Sequence, residues 1–478
     1  MSASEKTQYK LTENTVIWAF SDIEGQKQIL DNSLRSITNK QGQTLFVFEN
    51  NLWQVQESVV KYMDWHVVIC GDLVDNGDDD EYIIEQIKHL LNTYSYNFHV
   101  VLGNRDINKL RVYIERYLYE TTLQQHINRL QLQKYGLVDT SSRDKLWDTS
   151  FGIREFNNKS KHDRLNKYGH IDRFGTNFIT VLIRSVPALI IGRYLFVHGG
   201  PINNITTIKD IPEKSSLHHV NQEYLNVWQT TPLEEYIKDL NYMRAEAINA
   251  TIREQYDNEY LMRFISLSAP NYTVNSIITG SMDLSKHTID TTIYQWLRKG
   301  NIDTIVRGHQ PIGQVAMVQQ LSPNNQISEM VNEHITVVHL DTSYSNGSPS
   351  QTRTWCSIAQ LHQNKIKLHA YVFDPNNYTS IKHYTWSSDK QQSMKFEKDD
   401  DGNQTYCMSY KCKNCNTVGD YSFCMYKPSK EKHYITQPLT NLDKPIKSTL
   451  PPTKLDKIIK SAHSMWKNNV RFNKTRIG

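Results

Sequence analysis

The stretch Phe20-Ser21-Asp22-Ile23-Glu24-Gly25-Gln26 sets two carboxylates at the tip of an apolar run, Val16–Phe20. A single acid at such a place serves as a helix N-cap. Two acids, Asp22 and Glu24, spaced to point the same way, suit a cation. Five further polar clusters each follow a short apolar run: GDLVDNG at 71–77, GNRD at 103–106, HGGP at 198–201, RGHQP at 307–311 and DTSYSNG at 341–347. The ligand-type side chains they carry are Asp22, Glu24, Asp72, Asn104, His198 and His309. Carboxylate, amide and imidazole donors without a thiolate suit Mn, Fe or Zn in a reactive centre rather than a structural zinc site. Asp72 is placed to bridge two ions, and two ions roughly 3.5–4 Å apart activate water and clamp a phosphoryl group. Glycines beside these residues, such as Gly71 and Gly103, let the backbone turn and approach closely.

These clusters need elements to bring them together. The runs Val16–Phe20, Val67–Cys70, Phe98–Leu102, Tyr194–Val197, Thr304–Val306 and Ile335–Leu340 have strand length and β-branched or aromatic composition. Helical patterns lie between them, at Glu81–Leu91 and Asn108–Gln133. Strands alternating with helices predict an α/β sheet, and ligands of such sheets gather at the carboxyl ends of strands. All six clusters fall there. Two long stretches, about 108–190 and 205–300, carry no cluster and read as helical insertions that build a cap or wall, or as added structural helices.

The 478 residues suffice for two or three domains with a sizeable core. Hydrophobic content of 38% and charged content of 22% fit a globular chain. No run of 18 apolar residues predicts a membrane span, the polar start lacks a signal-peptide core, and six cysteines are too few for a secreted disulfide scaffold. A cytoplasmic location is the expectation.

The domain expected at 1–375 gives way to a polar linker and Cys-rich segment at 376–430, then a basic tail at 431–478. Cys407, Cys412, Cys415 and Cys424 fall within eighteen residues, and their CKNC is half of a zinc knuckle. His433 is a substitute ligand; reduced thiols in a Tyr-rich hairpin are the alternative to structural zinc. From Lys427 onward the charge is +9, leaving about −5 on the rest. Such a tail suits nucleic acid, an acidic partner or anionic lipid, or is simply solvated.

The ordered set D-x-x, GDxxD, GNxD, H and GH resembles the calcineurin-like metallophosphoesterase superfamily. GDLVDNG, GNRD, HGG and RGHQ look most like its phosphoprotein-phosphatase branch and relatives acting on dinucleoside polyphosphates. The likeness spans roughly 15–372. It implies a four-layer β-sandwich flanked by helices, and two divalent ions, with Mn, Fe or Mg the expected metals. Asp22 and Asp72 then resemble the aspartates of the first ion, Asp72 bridging to a second held by Asn104, His198 and His309. Asp75 resembles the acid that orients a catalytic histidine.

Three departures stand out. The family's Asp-x-His is here Asp22-Ile23-Glu24, so Glu24 stands where an imidazole binds the first ion, making a harder, more anionic site. The histidine of GNH[DE] is Arg105, followed by Asp106. Arginine stays protonated and cannot act as a general acid, but it can clamp a phosphate. Asn76 replaces a phosphate-binding arginine, leaving Arg105 or Arg307 for that task. Arg105, Asp75 and Asp106 are thus the candidate catalytic side chains, and Arg105, Arg307 and Asn76 the candidate phosphate contacts. Loss of a general acid matters least for a phosphate leaving group. The expected activity is metal-dependent hydrolysis of a phosphate ester or phosphoanhydride by direct attack of a metal-bound hydroxide. The substrate is expected to be a phosphorylated small molecule, nucleotide or phosphoprotein. The alternatives are a protein Ser/Thr phosphatase, or a degenerate relative that binds nucleic acid or protein.

Overall fold

The structure is a computed structural model. It describes residues 8–110 except 76 and 78, 173–200, 231–268 except 256–257, 277–280, 288–310, 316–324, 334–342, 355–373 except 364, and 380–388. It also describes the short pieces 394–395, 407–409 and 422–423.

Two sheets carry the architecture. In the first, β2 (Thr15–Phe20), β5 (Asp64–Cys70) and β6 (Phe98–Val101) run parallel. The sheet extends antiparallel from β2 through β13 (Trp355–His362), β14 (Lys365–Phe373) and β15 (Ser380–Ser387). In the second, β8 (Tyr194–Val197), β10 (Thr304–Arg307) and β12 (Ile335–His339) run parallel. β7 (Ala188–Ile191) and β1 (Gln8–Tyr9) lie beyond β8; β11 (Met317–Pro323) and β9 (Thr288–Ile289) lie beyond β12. The six runs singled out in the sequence are therefore all strands. Both faces of these parallel strands are covered, which is why they read as unbroken apolar runs rather than alternating ones.

Alternate residues sort into two buried clusters. Ile17, Ala19, Val68 and Cys70 of the first sheet cluster with Phe196, Val306 and Val338 of the second. The opposite faces, with Trp18, Ile69, Leu195 and Ile305, join the helices. These are α1 (Lys27–Ser36), α2 (Glu57–Val60), α3 (Asp80–Thr93), α4 (Asn104–Asn108), α5 (Arg173–Arg184), α6 (Leu233–Ile252), α7 (Glu259–Ser266) and α8 (Thr291–Lys299). Asn258 and Asp290 cap α7 and α8 by accepting first-turn N–H groups.

Register matters most for function. Phe20 pairs with Ile69 and Cys70 with Val101, so β2, β5 and β6 end level. Arg307 pairs with both Val197 and His339, so β8, β10 and β12 also end level. The segments after β2, β5, β6, β8, β10 and β12 carry the six clusters.

Three stretches hold elements that the sequence left unassigned. The stretch about 108–190 is not all insertion: α5 packs on α3, and β7 forms an antiparallel hairpin with β8 around Gly192 and Arg193. In 205–300, α6, α7 and α8 bury Leu240, Phe264 and Leu297 in the main apolar cluster. The linker expected from 376 opens on β15, which pairs with β14. A hairpin of β3 (Phe46–Glu49) and β4 (Leu52–Val55) and a small sheet of β16 (Met394–Lys395), β17 (Cys407–Ser409) and β18 (Ser422–Phe423) complete the strands. Contacts divide the chain into 1–426 and 427–478, and the second unit, the basic tail, lies outside the described residues. Among the described residues no helix is long and apolar enough to cross a membrane.

At the amino end of the first sheet, His66 and His99 stack at 5.2 Å with Nδ1 and Nε2 3.0 Å apart. Burial, reinforced by His66, holds the His99 pKa down at about 3 against an ordinary 6.5. The unfolded chain takes up that proton first, so stability falls as the pH drops through 6.5 toward 3. At pH 5 the expected loss is about 2 kcal/mol. Urea midpoints at pH 7 and pH 5 should differ less in His99→Gln than in the wild type; an equal difference contradicts this.

Candidate metal centre

The ligand loops are fixed to one another. Asp22 N–H donates to Gly71 O at 3.0 Å, Glu24 N–H to Asp72 O at 2.8 Å and Gly25 N–H to Leu73 O at 2.9 Å. The chain after β2 therefore runs bonded along the chain after β5. Asp22, Glu24, Asp72, Asp75 and His309 all have positive φ, between 49° and 124°. Each such residue costs on the order of 1 kcal/mol or more, and strain of this kind gathers at working sites. Asp106 ties the third loop in: it accepts the N–H groups of Asp72 at 3.0 Å, Leu73 at 2.9 Å and Gly103 at 2.9 Å.

Three ligand-type atoms gather on one side of Asp72. His198 Nε2 lies 3.0 Å from Asn104 Oδ1 and 3.2 Å from Asp72 Oδ1, and His309 Nδ1 lies 2.9 Å from Asn104 Oδ1. An octahedral ion with bonds of roughly 2.1 Å sets neighbouring ligands about 3 Å apart, so His198 is spaced from Asp72 and from Asn104 as ligands of one divalent ion are, while His309 adjoins Asn104 and lies outside the group of Asp22, Asp72 and His198. His198 Nδ1 is 2.8 Å from Cys70 O and donates to it, which turns Nε2 toward Asp72 and Asn104. Asp22, Asp72 and His198 each bring a ligand atom within 4.8 Å of the others. Asp22 also accepts the His309 N–H at 3.2 Å.

Electrostatics follow the packing. Burial raises Asp22 well above the usual carboxylate range, and Asp341 raises it further. Burial also opposes charge on Asp72 and His198, but each overrides that for the other: Asp72 is held low by His198 and Arg105, and His198 rises to about 9. Burial and then His198 depress His309 to about 3.

Arg105 enters from the other side of Asp72. Its Nε lies 3.3 Å from Asp72 Oδ2 and 3.5 Å from Glu24 Oε1, and its Nη1 donates to Asp75 Oδ2 at 3.0 Å. Asp75 Oδ1 in turn meets Lys109 Nζ at 2.7 Å, and Lys109 is fully buried.

Of the site residues expected from sequence, Asp22, Glu24, Asp72, Asp75, Asn104, Arg105, His198 and His309 come together. Two others do not face the opening. Arg307 is fully buried and donates through Nη2 to Gly280 O at 3.1 Å, so it stands behind the ligands rather than toward a substrate. Burial draws its pKa to about 10. Asp106 is fully buried with its oxygens on backbone N–H groups, so it holds the loops; burial and then Asp72 push it up to about 7. Asn76, Cys412, Cys415, Cys424 and His433 lie outside the described residues; Cys407 is described only as part of β17. Lys109 and Asp341 were not singled out from sequence. The signal for Lys109 is its i,i+4 spacing from Arg105, and for Asp341 its place at a strand end.

Two glycines permit this packing. A Cβ at Gly103 would meet Asp72 Oδ1 at 2.1 Å, and one at Gly71, whose φ is +85°, would meet His198 Nδ1 at 2.5 Å. Gly71→Ala should cost about 2–4 kcal/mol and weaken metal binding by displacing His198. A thermal melt with and without Mn checks both effects.

The family model described as calcineurin-like phosphoesterase matches residues 15–313. The chain belongs to the calcineurin-like phosphoesterase family. It is a phosphoesterase-type hydrolase. Comparison with curated proteins returns no match. Solved structures similar to this phosphoesterase include a cold-active protein-tyrosine phosphatase from a psychrophilic Shewanella species. It is 16% identical, with 76% of this chain and 79% of that chain covered and a TM-score of 0.36. A protein serine/threonine phosphatase from Saccharomyces cerevisiae is 13% identical, with 75% and 76% covered and a TM-score of 0.35. The family assignment rests on the sequence match.

Proposed function

We propose that this phosphoesterase hydrolyses a phosphoanhydride, of the kind found in nucleotides and dinucleoside polyphosphates, in a metal-dependent reaction. The carrying observation is the position of Arg105: a permanent cation with a partly exposed edge, beside a compact donor set. Asp72, Asn104, His198 and His309 would hold a divalent ion, with Asp22 at their edge. When bound, such an ion acts as a Lewis acid on a phosphoryl oxygen and makes water more acidic.

The chain's own residues do the rest. Arg105 offers N–H donors to the phosphoryl oxygens as charge builds in the transition state. Asp75 and buried Lys109 fix the direction of that guanidinium. His198 keeps its donor nitrogen on Cys70 O, so its orientation does not change through the reaction. Water gives up one proton to bulk solvent as it adds to phosphorus, the P–O bond to the leaving group breaks, and that oxygen leaves as an anion. Arg105 has no proton to give it. A phosphate leaves readily under those terms; a serine alkoxide does not. This favours an anhydride over a phosphoserine substrate. The two buried clusters on either side of the first sheet support a four-layer arrangement beneath the site.

The test compares a dinucleoside polyphosphate, an aryl phosphate and a phosphoserine peptide with Mn present. The expected order of kcat/KM is anhydride first and phosphopeptide last. A phosphopeptide hydrolysed faster than the anhydride would overturn the anhydride preference.

A further inference from the structure

We propose that the Arg105 guanidinium occupies the place of one of the two cations, so that the centre holds one divalent ion and one built-in organic cation. This rests on the metal-dependent reading above and concerns how many ions that site takes.

Asp72 separates two half-sites with different chemistry. On the Oδ1 side stands His198 Nε2, 3.2 Å from Asp72 Oδ1 and 3.0 Å from Asn104 Oδ1, with His309 Nδ1 2.9 Å beyond, against Asn104 Oδ1. On the Oδ2 side stands Arg105 Nε at 3.3 Å, with Glu24 Oε1 3.5 Å from the same nitrogen. The lone pairs of Glu24 and Asp72 that would clamp an ion between them already face a cation. Glu24 and His309 both stand outside the tightest ligand group. Among the described residues, the one set of three His, Cys, Asp or Glu side chains with ligand atoms within 4.8 Å of one another is Asp22, Asp72 and His198.

The guanidinium is built into this place. Its Nη1 is bound to Asp75, Asp75 is bound to fully buried Lys109, and the backbone N–H of Arg105 donates to Asp72 Oδ1 at 2.9 Å. Moving Arg105 aside for an ion would leave Asp75 with Lys109 and bring a dication against that arginine. The two sequence departures then have one cause. A guanidinium is partnered by carboxylates, whereas an imidazole offers it no anionic oxygen, so Glu24 and Arg105 suit each other.

The test is ion stoichiometry. Full-length protein stripped with chelator is titrated with Mn by calorimetry, and bound Mn is read by electron paramagnetic resonance. The expected wild-type result is one ion per chain with the signal of an isolated Mn. Arg105→Ala should take a second ion and show a spin-coupled pair, while Glu24→Gln, with Arg105 present, should keep one ion at affinity within threefold of wild type. Two ions in the wild type would overturn the proposal and leave the metal-dependent reading standing. One ion in both wild type and Arg105→Ala would overturn the part given to Arg105. No ion in the wild type would sink the metal-dependent reading itself. If Arg105→Ala does not fold, the wild-type count and spectrum still decide.

Discussion

Asp72→Asn is expected to lower kcat/KM by about 10³-fold or more while the protein stays folded. The substitution keeps size and shape, so β5 and the following turn retain their packing. It removes the negative charge that faces His198 Nε2 at 3.2 Å and Arg105 Nε at 3.3 Å. One of the two oxygens becomes an NH2, and that donor must point at His198 or at the guanidinium. Either choice disturbs the site: the first spoils the donor set, the second sets N–H against N–H. Burial then meets less opposition at His198, so its pKa falls from about 9; Asp72 is the strongest of the groups that raise it, ahead of Asp22 and the Cys70 carbonyl. The checks are Mn affinity and kcat/KM on the same preparations, with circular dichroism to show the fold. Wild-type rates in Asp72→Asn would remove Asp72 from the centre.

Arg105→Ala is expected to lower kcat/KM by about 10²–10³-fold, the usual loss when one donor to a developing oxyanion is removed. Lysine should not restore it, since an ammonium lacks the planar fork that meets Asp75 and a phosphoryl group together. Arg105→His is the informative variant. It returns a group that can protonate a leaving oxygen, worth about 10²–10⁴-fold where that proton is needed. The ratio of phosphomonoester to anhydride turnover should therefore rise at least about tenfold in Arg105→His over wild type. An unchanged ratio would show that leaving-group protonation does not set substrate preference here.

Much of the site was legible because its signals are local. Six apolar runs ending in polar clusters told where strands stop, and level strand ends are what bring Asp22, Asp72, Asn104, His198 and His309 within reach of one another. What escaped was set by packing across sequence. Ala188–Ile191 lies at the end of the stretch that reads as a helical insertion, and its antiparallel pairing with Tyr194–Val197 makes it a strand. Ser380–Ser387 is polar enough to pass for a linker, yet backbone bonding to β14 makes it a sheet edge. Arg307 looked available because it lies beside Gly308 and His309; its strand instead directs it inward, to Gly280 O. Asp106 adjoins Arg105 but turns under the loops, where three N–H groups claim it. Lys109 and Asp341 gain meaning only from what they meet in space, Asp75 for one and Asp22 for the other.

The central claim is that hydrolysis depends on an ion held at Asp72. The most direct measurement titrates Mn into chelator-stripped protein and follows hydrolysis of a dinucleoside polyphosphate, wild type beside Asp72→Asn. Saturable activation in the wild type, absent in the variant, is the expected result. Full turnover in chelator, or equal Mn activation of both proteins, would contradict it.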